Sequence, residues 1–470
     1  MLREAIRPPE VMRSVYGPEP RKLRGADLPG MAALKVRDLF PDIVQEIYLH
    51  GGDLATIRKA TVQALSGVNM ERIRPEQTVD ILGSEHGFSI LGGEPYVEML
   101  RTIQDVVRER TGAEVRLKLA AYIGYKETAE LIEHFRLKEK FDKIRSFGPW
   151  DKGVPIETEV GTLYGVARAY EADWFIHAYY DDPREMYFHR YVHRPLKAFV
   201  MSYARYETRA AYHFSFGTRS GQFLMKAIFD SPFVQARHAF SCILRSSPAG
   251  IVGVDADNDL YRIDHRIKKH HLRDFGKMHQ LLAALDECIA VWDGGRWGYY
   301  VHAGGVCFGV FMNAAYDPFD LSKPFSFSAF DLLLKNPFGD SDTIFTVHPS
   351  IKAAVVNQAW PGIIITDLPR TVPTVVVGRD QAEMYLKDPT NPRFMDYAVT
   401  AETLEGAMDF ARRVSGTDKV LVFDGSFGHL TLTPSLAEDL IAKAPGVNRR
   451  VEEELLPMWL KQRGIDPREA

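Results

Sequence analysis

The chain has 470 residues, a length that predicts two or three domains of ordinary size. It carries 58 Lys and Arg against 62 Asp and Glu, and a net charge of −4 gives no electrostatic reason to expect a nucleic-acid partner. Charged residues make up 26% of the chain and hydrophobic residues 46%, which excludes a wholly disordered or fibrous protein.

The three cysteines, Cys242, Cys288 and Cys307, cannot build a disulfide framework, and no Cys-x-x-Cys pair occurs to hold zinc. Reduced thiols are typical of the cytoplasm. Residues 1–25 are charged and rich in proline, without the apolar core of a signal peptide. No apolar run approaches the roughly 20 residues that a membrane helix needs. We therefore expect a cytoplasmic protein that has no membrane partner.

Along the first half of the chain, an extended arm is followed by alternating helices and strands. The arm is predicted over residues 1–30, which carry several prolines and no periodicity. Apolar spacing then predicts helices over 53–68, 96–110 and 127–135, and strands over 78–83 and 115–124. Residues 156–180 are predicted to form a helix followed by a strand near 174–177.

The same alternation returns in the second half of the chain. Strands are predicted over 287–295, 353–360, 371–378 and 419–428, and a helix over 401–414. Alternation at this pitch predicts an α/β protein with mostly parallel sheets. We expect an N-terminal α/β domain over 31–284, a C-terminal α/β domain over 285–434 and a C-terminal helical tail over 435–470.

The most concentrated polar chemistry lies in residues 181–213, directly after a predicted strand. Ligands of open α/β sheets gather at such strand ends. His189 and His193 are four residues apart, so on a helix they would share a face and could share a metal ion. Arg184, Arg205 and Arg209 are candidates for holding a carboxylate through bidentate contacts. A solvated helix with salt bridges is an equally open alternative.

Two further stretches favour structural roles. In DHRIKKHHLRDFGKMH (264–279), arginine and lysine stand between the histidines and would repel a metal cation, so we predict a solvated basic face. The turn VFDGSFG (422–428) lacks the spacing of a nucleophile elbow, although Asp424 and His429 lie where a ligand could reach.

The order of features over 53–215 resembles that of the nickel-dependent lactate racemase family. A helix, a strand with a polar turn, a second helix and a second strand with a polar turn precede a strand and a segment rich in histidine and lysine. The resemblance covers about a third of the chain. It implies two α/β domains with the active site in the cleft between them, and the 31–284 domain would carry the cofactor segment.

The resemblance also implies a cofactor, a nickel pincer nucleotide joined covalently to a lysine. By position, Lys197 in RPLKAF is this lysine and His213 is the implied nickel ligand, with His189 and His193 as further candidate metal ligands. The first polar turn, GSEHG (83–87), would place His86 at the substrate, where the family has an aspartate and an arginine.

The implied acid/base positions depart from the family's pattern. The second polar turn reads GYKE, which places Tyr125 and Lys126 where the family has a His-Arg pair. The position before the lysine falls on Tyr187 to His189. A neutral histidine suits a base near pH 7, whereas Tyr125 would be a poor base unless Lys126 or an arginine lowered its pKa.

The resemblance thus implies an isomerase, a racemase or epimerase that inverts the carbon beside the carboxylate of a 2-hydroxy acid or sugar acid by a nickel-pincer hydride mechanism. Two alternatives stay open. One is a divalent-metal-dependent lyase or hydrolase on the same fold, and the other is a non-catalytic protein that binds a carboxylate or phosphate. The expected partner is a small-molecule carboxylate. Both a monomer and a homo-oligomer stay open.

Overall fold

The structure of the protein is a computed structural model that describes residues 2–8, 12, 14–122, 124–181, 194–215, 221–294, 317, 319–322, 347–359, 368–388 and 393–468. The chain forms two compact units. Unit 1 comprises Met1–Val44, Ser247–Ala249 and His271–Ala470, and unit 2 comprises Gln45–Ser246 and Gly250–His270.

Sixteen strands lie in the described ranges. They are β1 (Leu2–Glu4), β2 (Ala32–Lys35), β3 (Thr78–Ser84), β4 (Glu114–Ala120), β5 (Ile144–Phe147), β6 (Gly153–Thr158), β7 (Gly161–Val166), β8 (Trp174–Tyr180), β9 (His238–Ser247), β10 (Gly250–Asp257), β11 (Cys288–Gly294), β12 (Ile351–Ala359), β13 (Thr374–Val377), β14 (Val399–Ala401), β15 (Val420–Phe423) and β16 (His429–Leu432).

The α-helices of the same ranges vary from one turn to seven. They span Val36–Leu39, Ala55–Ser66, Glu94–Thr111, Tyr125–His134, Leu137–Lys140, Arg194–Lys197, Tyr206–Ala210, Gln222–Phe229, Pro232–Gln235, Leu260–Ala283, Leu368–Thr371, Arg379–Leu386, Phe394–Tyr397, Leu404–Ser415, Pro434–Arg450 and Leu456–Gln462. None of these helices combines the length and the apolar character that crossing a membrane requires.

Each unit is built on one mixed, mostly parallel sheet. In unit 1 the strand order is β1-β2-β16-β15-β11-β12-β13-β14, and β15, β11, β12, β13 and β14 run parallel. In unit 2 the order is β10-β9-β8-β3-β4-β5, and the strands from β9 to β5 run parallel. The predicted α/β fold class with mostly parallel sheets is therefore confirmed.

The central strands form because their apolar residues are covered on both faces. β11 is buried along its whole length, as is nearly all of β12, which is the pattern of parallel strands inside a layered fold. The helix Leu404–Ser415 packs Leu404, Ala407, Met408 and Ala411 onto this sheet. The side chain of Thr403 caps the start of the helix, and Gly416, with φ of 72°, ends it.

Two predictions are wrong. The first part of 156–180 is not helical, because β6 and β7 pair there as an antiparallel hairpin that turns through Gly161, whose φ is 108°. The basic stretch 264–279 is not a solvated face, since Lys268, His271, Lys277 and His279 are all buried. Acidic partners make this burial tolerable: Asp264 lies 2.5 Å from Lys268, and Asp42 and Glu452 flank Lys277.

Candidate functional site

The parallel sheet of unit 2 contains a point where the chain reverses its direction across the sheet. The chain runs outward from β3 to β4 and β5 and then returns to β8 on the other side of β3. Because β3 and β8 are parallel, the connections that follow them leave the same edge in opposite directions. Open α/β sheets bind ligands in the crevice outside such a switch point. We call the residues that follow these strands, Ser84–His86 and Tyr180–Asp181, the switch-point site.

A network of buried hydroxyl groups ties the two strands together at this edge. The hydroxyl of Tyr96 accepts a hydrogen bond from the amide of Ser84 at 3.1 Å and donates to the carbonyl of Ala178 at 2.8 Å. The hydroxyl of Ser202 donates to that of Ser84 at 3.3 Å and lies 3.5 Å from the hydroxyl of Tyr179. The ends of β3 and β8 are therefore joined by buried groups that both donate and accept hydrogen bonds.

Two carboxylates are buried where the strands end. Glu85 is 6% exposed and accepts a hydrogen bond at 3.1 Å from the hydroxyl of Thr128. Asp181 is fully buried, and its backbone is fixed by an amide hydrogen bond to the carbonyl of Leu244 at 2.9 Å and a hydrogen bond from the Ser246 hydroxyl at 2.7 Å. Because charged side chains are rarely buried, we take Glu85 and Asp181 as candidate ligand-binding groups.

A neutral histidine lies inside the sheet just before the switch point. Nδ1 of His177 is 2.7 Å from the hydroxyl of Tyr203, which itself donates to the carbonyl of Leu82 at 3.0 Å. The Tyr203 oxygen must then accept from a protonated Nδ1, which fixes the tautomer. Burial, helped by nearby His238, lowers the pKa of His177 to about 3, so the ring is uncharged near neutral pH.

The predicted cofactor lysine, Lys197, ends the short helix that follows 182–193, the part of the chain that continues from Asp181. Its side chain is half-buried, and its Nζ lies 5.6 Å from the centre of the Tyr212 ring. A half-buried amine beside an aromatic face fits an attachment point for a flat group.

The arginines predicted to bind substrate have different environments. Arg209 donates to the carbonyls of Ala204, Tyr122 and Ala121 at 3.2, 2.8 and 3.4 Å, and burial lowers its pKa to about 10. It therefore fixes the chain beyond β4. The Arg205 side chain is partly exposed, and one of its terminal nitrogens lies 3.1 Å from a carboxylate oxygen of Glu207. Its buried Nε has no hydrogen-bond partner among the described residues.

Tyr125 and His86 lie at the same sheet edge. Tyr125 begins the helix Tyr125–His134, and burial together with a hydrogen bond to Asp151 raises its pKa to about 12. This is opposite to the shift that a base requires, so the hydroxyl of Tyr125 keeps its proton near neutral pH. The ring of His86 packs edge-on against Tyr122, with centroids 4.6 Å apart.

Several predicted residues lie outside the described ones. They are Arg184, Tyr187, His189 and His193, and nothing is described of the His213 side chain in the helical turn 211–215. Among the described residues, no group of three or more His, Cys, Asp or Glu is placed to hold a metal ion. The described residues thus fit the attachment of the cofactor at Lys197, and the predicted metal ligands stay predictions.

Sequence reasoning missed the residues that are most buried at this site. Ser84 and Glu85 lie in the polar turn GSEHG (83–87), but His86 was the residue of this turn predicted to contact substrate. Asp181 stands directly after a predicted strand, a signal that could have identified it. Ser202 carries no such signal, since its partner Ser84 is 118 residues away.

Unit 1 has an equivalent switch point, between β11 and β15, and it is filled by the chain itself. Asp293, fully buried near the end of β11, pairs with Nε of Arg24 at 2.9 Å and accepts the amide of Gly25 at 2.7 Å. Asn357 donates to the same carboxylate at 2.9 Å. A Cβ on Gly25 would come within 2.6 Å of Val422 in β15, so the arm lies directly on the sheet.

A second arginine of the arm binds the neighbouring strand ends. The Nε of Arg21 donates to the carbonyl of Asn357 at 3.1 Å, and another guanidinium nitrogen donates to the carbonyl of Val377 at 2.7 Å. Arg21 also pairs with Asp380 at 2.9 Å. Residues 21–25 thus occupy the position at which this type of sheet binds a ligand.

No protein-family profile matches the chain, and no curated protein matches it significantly.

Proposed function

We propose that the protein is a racemase or epimerase that inverts the carbon beside the carboxylate of a 2-hydroxy acid or sugar acid, at the switch-point site of unit 2. One observation carries the proposal: the half-buried Lys197 amine beside Tyr212 belongs to the chain that continues from this site. Its position in the chain is the one that the resemblance to nickel-dependent lactate racemases implies for the cofactor lysine. When bound, the cofactor would supply an acceptor for the hydrogen of the inverted carbon.

The remaining tasks fall to the chain's own side chains. Arg205 is partly exposed beside Glu207, and its guanidinium would hydrogen-bond to a substrate oxygen. The hydroxyl of Tyr125, whose raised pKa keeps it protonated near neutral pH, would hydrogen-bond to a substrate oxygen. Tyr187 and His189 are the proposed partners in proton transfer on the second face, and a neutral histidine has the pKa that this needs near pH 7.

The test is intact mass and metal analysis of the chain co-expressed with cofactor-making enzymes, together with a racemisation assay on lactate and gluconate. We expect nickel and a mass adduct on the wild-type chain, both absent from Lys197→Ala. Lys226→Ala, a change to another partly exposed lysine of unit 2, is the matched control and should keep both.

Other results would contradict the proposal. A Lys197 that stays unmodified after co-expression would overturn it. Bound metal without an adduct would favour a lyase or hydrolase, and carboxylate binding without turnover would favour a non-catalytic binding protein.

A further inference from the structure

An exposed pair of stacked aromatic rings lies directly after β5 in unit 2. Trp150 is 65% exposed and Tyr206 is 51% exposed, and their ring centroids are 4.7 Å apart with planes 22° from parallel. The amide of Tyr206 donates to the carbonyl of Pro149 at 3.1 Å, which holds the two segments together. The stack covers one face of the indole and leaves the other face in solvent.

Ionic side chains border these rings. Arg205, next to Tyr206 in the chain, lies 3.1 Å from Glu207, and both are partly exposed. Asp151, next to Trp150, lies 3.6 Å from Arg168. Hydrogen-bond donors and acceptors therefore border the two exposed rings.

This arrangement favours a small polyhydroxylated ligand over a protein. Protein-binding patches are contiguous apolar areas of several hundred Å², whereas four ionic side chains interrupt this surface. An indole face offers apolar area with a partial negative charge, which suits the C–H face of a sugar. Guanidinium and carboxylate groups at its edge can hydrogen-bond to the hydroxyls that the same sugar carries.

We infer that Trp150 and Tyr206 form a subsite for the polyhydroxylated part of a sugar-derived 2-hydroxy acid, whose hydroxyls bind Arg205. β4 alone separates β5, the strand that precedes Trp150, from β3, so the ends of these two strands lie about 10 Å apart at about 4.8 Å per strand. One ligand can then place its carboxylate end at the switch point and its sugar on the rings. This assignment of the reacting end rests on the proposed function.

The test is calorimetric titration with three probes: lactobionate, which is an aldonate carrying a galactose ring, then gluconate and lactate. We expect affinity to fall in that order. Trp150→Ala should weaken lactobionate binding at least tenfold and lactate binding less than twofold. Tyr397→Ala removes an aromatic ring of unit 1 that is 44% exposed, and it should change neither.

The outcomes separate this inference from the proposed function. Absent lactobionate binding, or unchanged binding in Trp150→Ala, would overturn the subsite. If lactate is racemised but no sugar acid binding depends on Trp150, only the subsite is wrong. If Trp150-dependent binding of lactobionate is found on a chain whose Lys197 never carries an adduct, the subsite stands and only the proposed function is wrong.

Discussion

The two units use the same sheet plan but fill the equivalent crevice differently. In unit 2 the crevice at β3 and β8 is lined by hydroxyl groups and the buried carboxylates Glu85 and Asp181. In unit 1 the crevice at β11 and β15 holds the chain's own Arg24, bound to buried Asp293. A crevice that the chain has closed with its own side chain has no room for a diffusing ligand.

This difference is the reason why we place the proposed site in unit 2. The Arg24 guanidinium satisfies Asp293 much as a bound cation would, so unit 1 is stabilised by a permanent internal ligand. Unit 2 instead keeps polar groups in the crevice, at a cost in stability that proteins accept at functional sites. We therefore expect substitutions in the unit 1 contacts to lower stability, and substitutions at the unit 2 site to change ligand binding as well.

The largest effect is expected from Arg24→Ala, which opens the unit 1 crevice. It leaves the fully buried Asp293 without its charge partner, and removing one partner of a buried pair costs about 3–5 kcal/mol of unfolding free energy. Urea unfolding of the wild type and of Arg24→Ala at pH 7 measures this difference in unfolding free energy. Arg379→Ala, which breaks a pair with Glu402 in which both side chains are at least 80% exposed, should cost well under about 1 kcal/mol.

A rescue experiment sharpens the same comparison. Methylguanidinium at millimolar concentration should raise the midpoint of thermal unfolding of Arg24→Ala, because it can bind the vacated carboxylate, and should leave the wild-type midpoint unchanged. An Arg24→Ala protein as stable as wild type would show that the arm is not an internal ligand.

An effect of intermediate size on the free energy of unfolding is expected when the pH is lowered, because His177 of unit 2 is buried in its neutral form. Its folded pKa, about 3, lies below its value of about 6.5 in the unfolded chain, so the stability it contributes is complete above pH 6.5 and is lost as pH falls. Between pH 7 and pH 5 the loss is about 2 kcal/mol. His177→Asn, which keeps a donor for Tyr203, should abolish this loss.

The measurement is urea unfolding of wild type and variant at pH 7, 6 and 5. Groups that titrate alike in both proteins cancel in the difference, which should shrink steadily as the pH falls. His265→Asn, at an exposed position of the helix Leu260–Ala283, is the control and should run parallel to wild type. Parallel curves for His177→Asn would contradict a neutral buried histidine.

Local patterns in the sequence were enough to predict the sheets but not all that packs around them. β3 and β11 were predicted within about one residue of their bounds, because continuous apolar runs ending at glycine or aspartate mark buried parallel strands. The burial of Lys277 was missed because its partners, Asp42 and Glu452, are far away in the chain. The local sequence shows only the basic residues beside Lys277, and a run of basic residues predicts a solvated lysine.

The candidate site, too, was predictable only where the signal is local in the sequence. The turn 83–87 and the segment after Asp181 were identified because polar residues directly after strands are a local signal. Arg205 and Arg209, which are four residues apart, were predicted alike as candidates for holding a carboxylate. Spacing does not show that Arg209 reaches carbonyls 87 and 88 residues away, and this contact decides its role.

The smallest effect is expected from Arg205→Met, and its comparison with Arg209→Met tests that distinction. The larger loss of stability is expected in Arg209→Met. Three backbone carbonyls lose their donor while the side-chain volume is nearly kept, and an unsatisfied buried polar group costs about 1–3 kcal/mol. Arg205→Met breaks a partly exposed pair with Glu207, and we expect at most about 1 kcal/mol. Gluconate binding should change in the opposite sense, falling more in Arg205→Met. If Arg209→Met unfolds like wild type but no longer binds gluconate, Arg209 is the carboxylate-binding arginine, and its contacts with the carbonyls are incidental to stability.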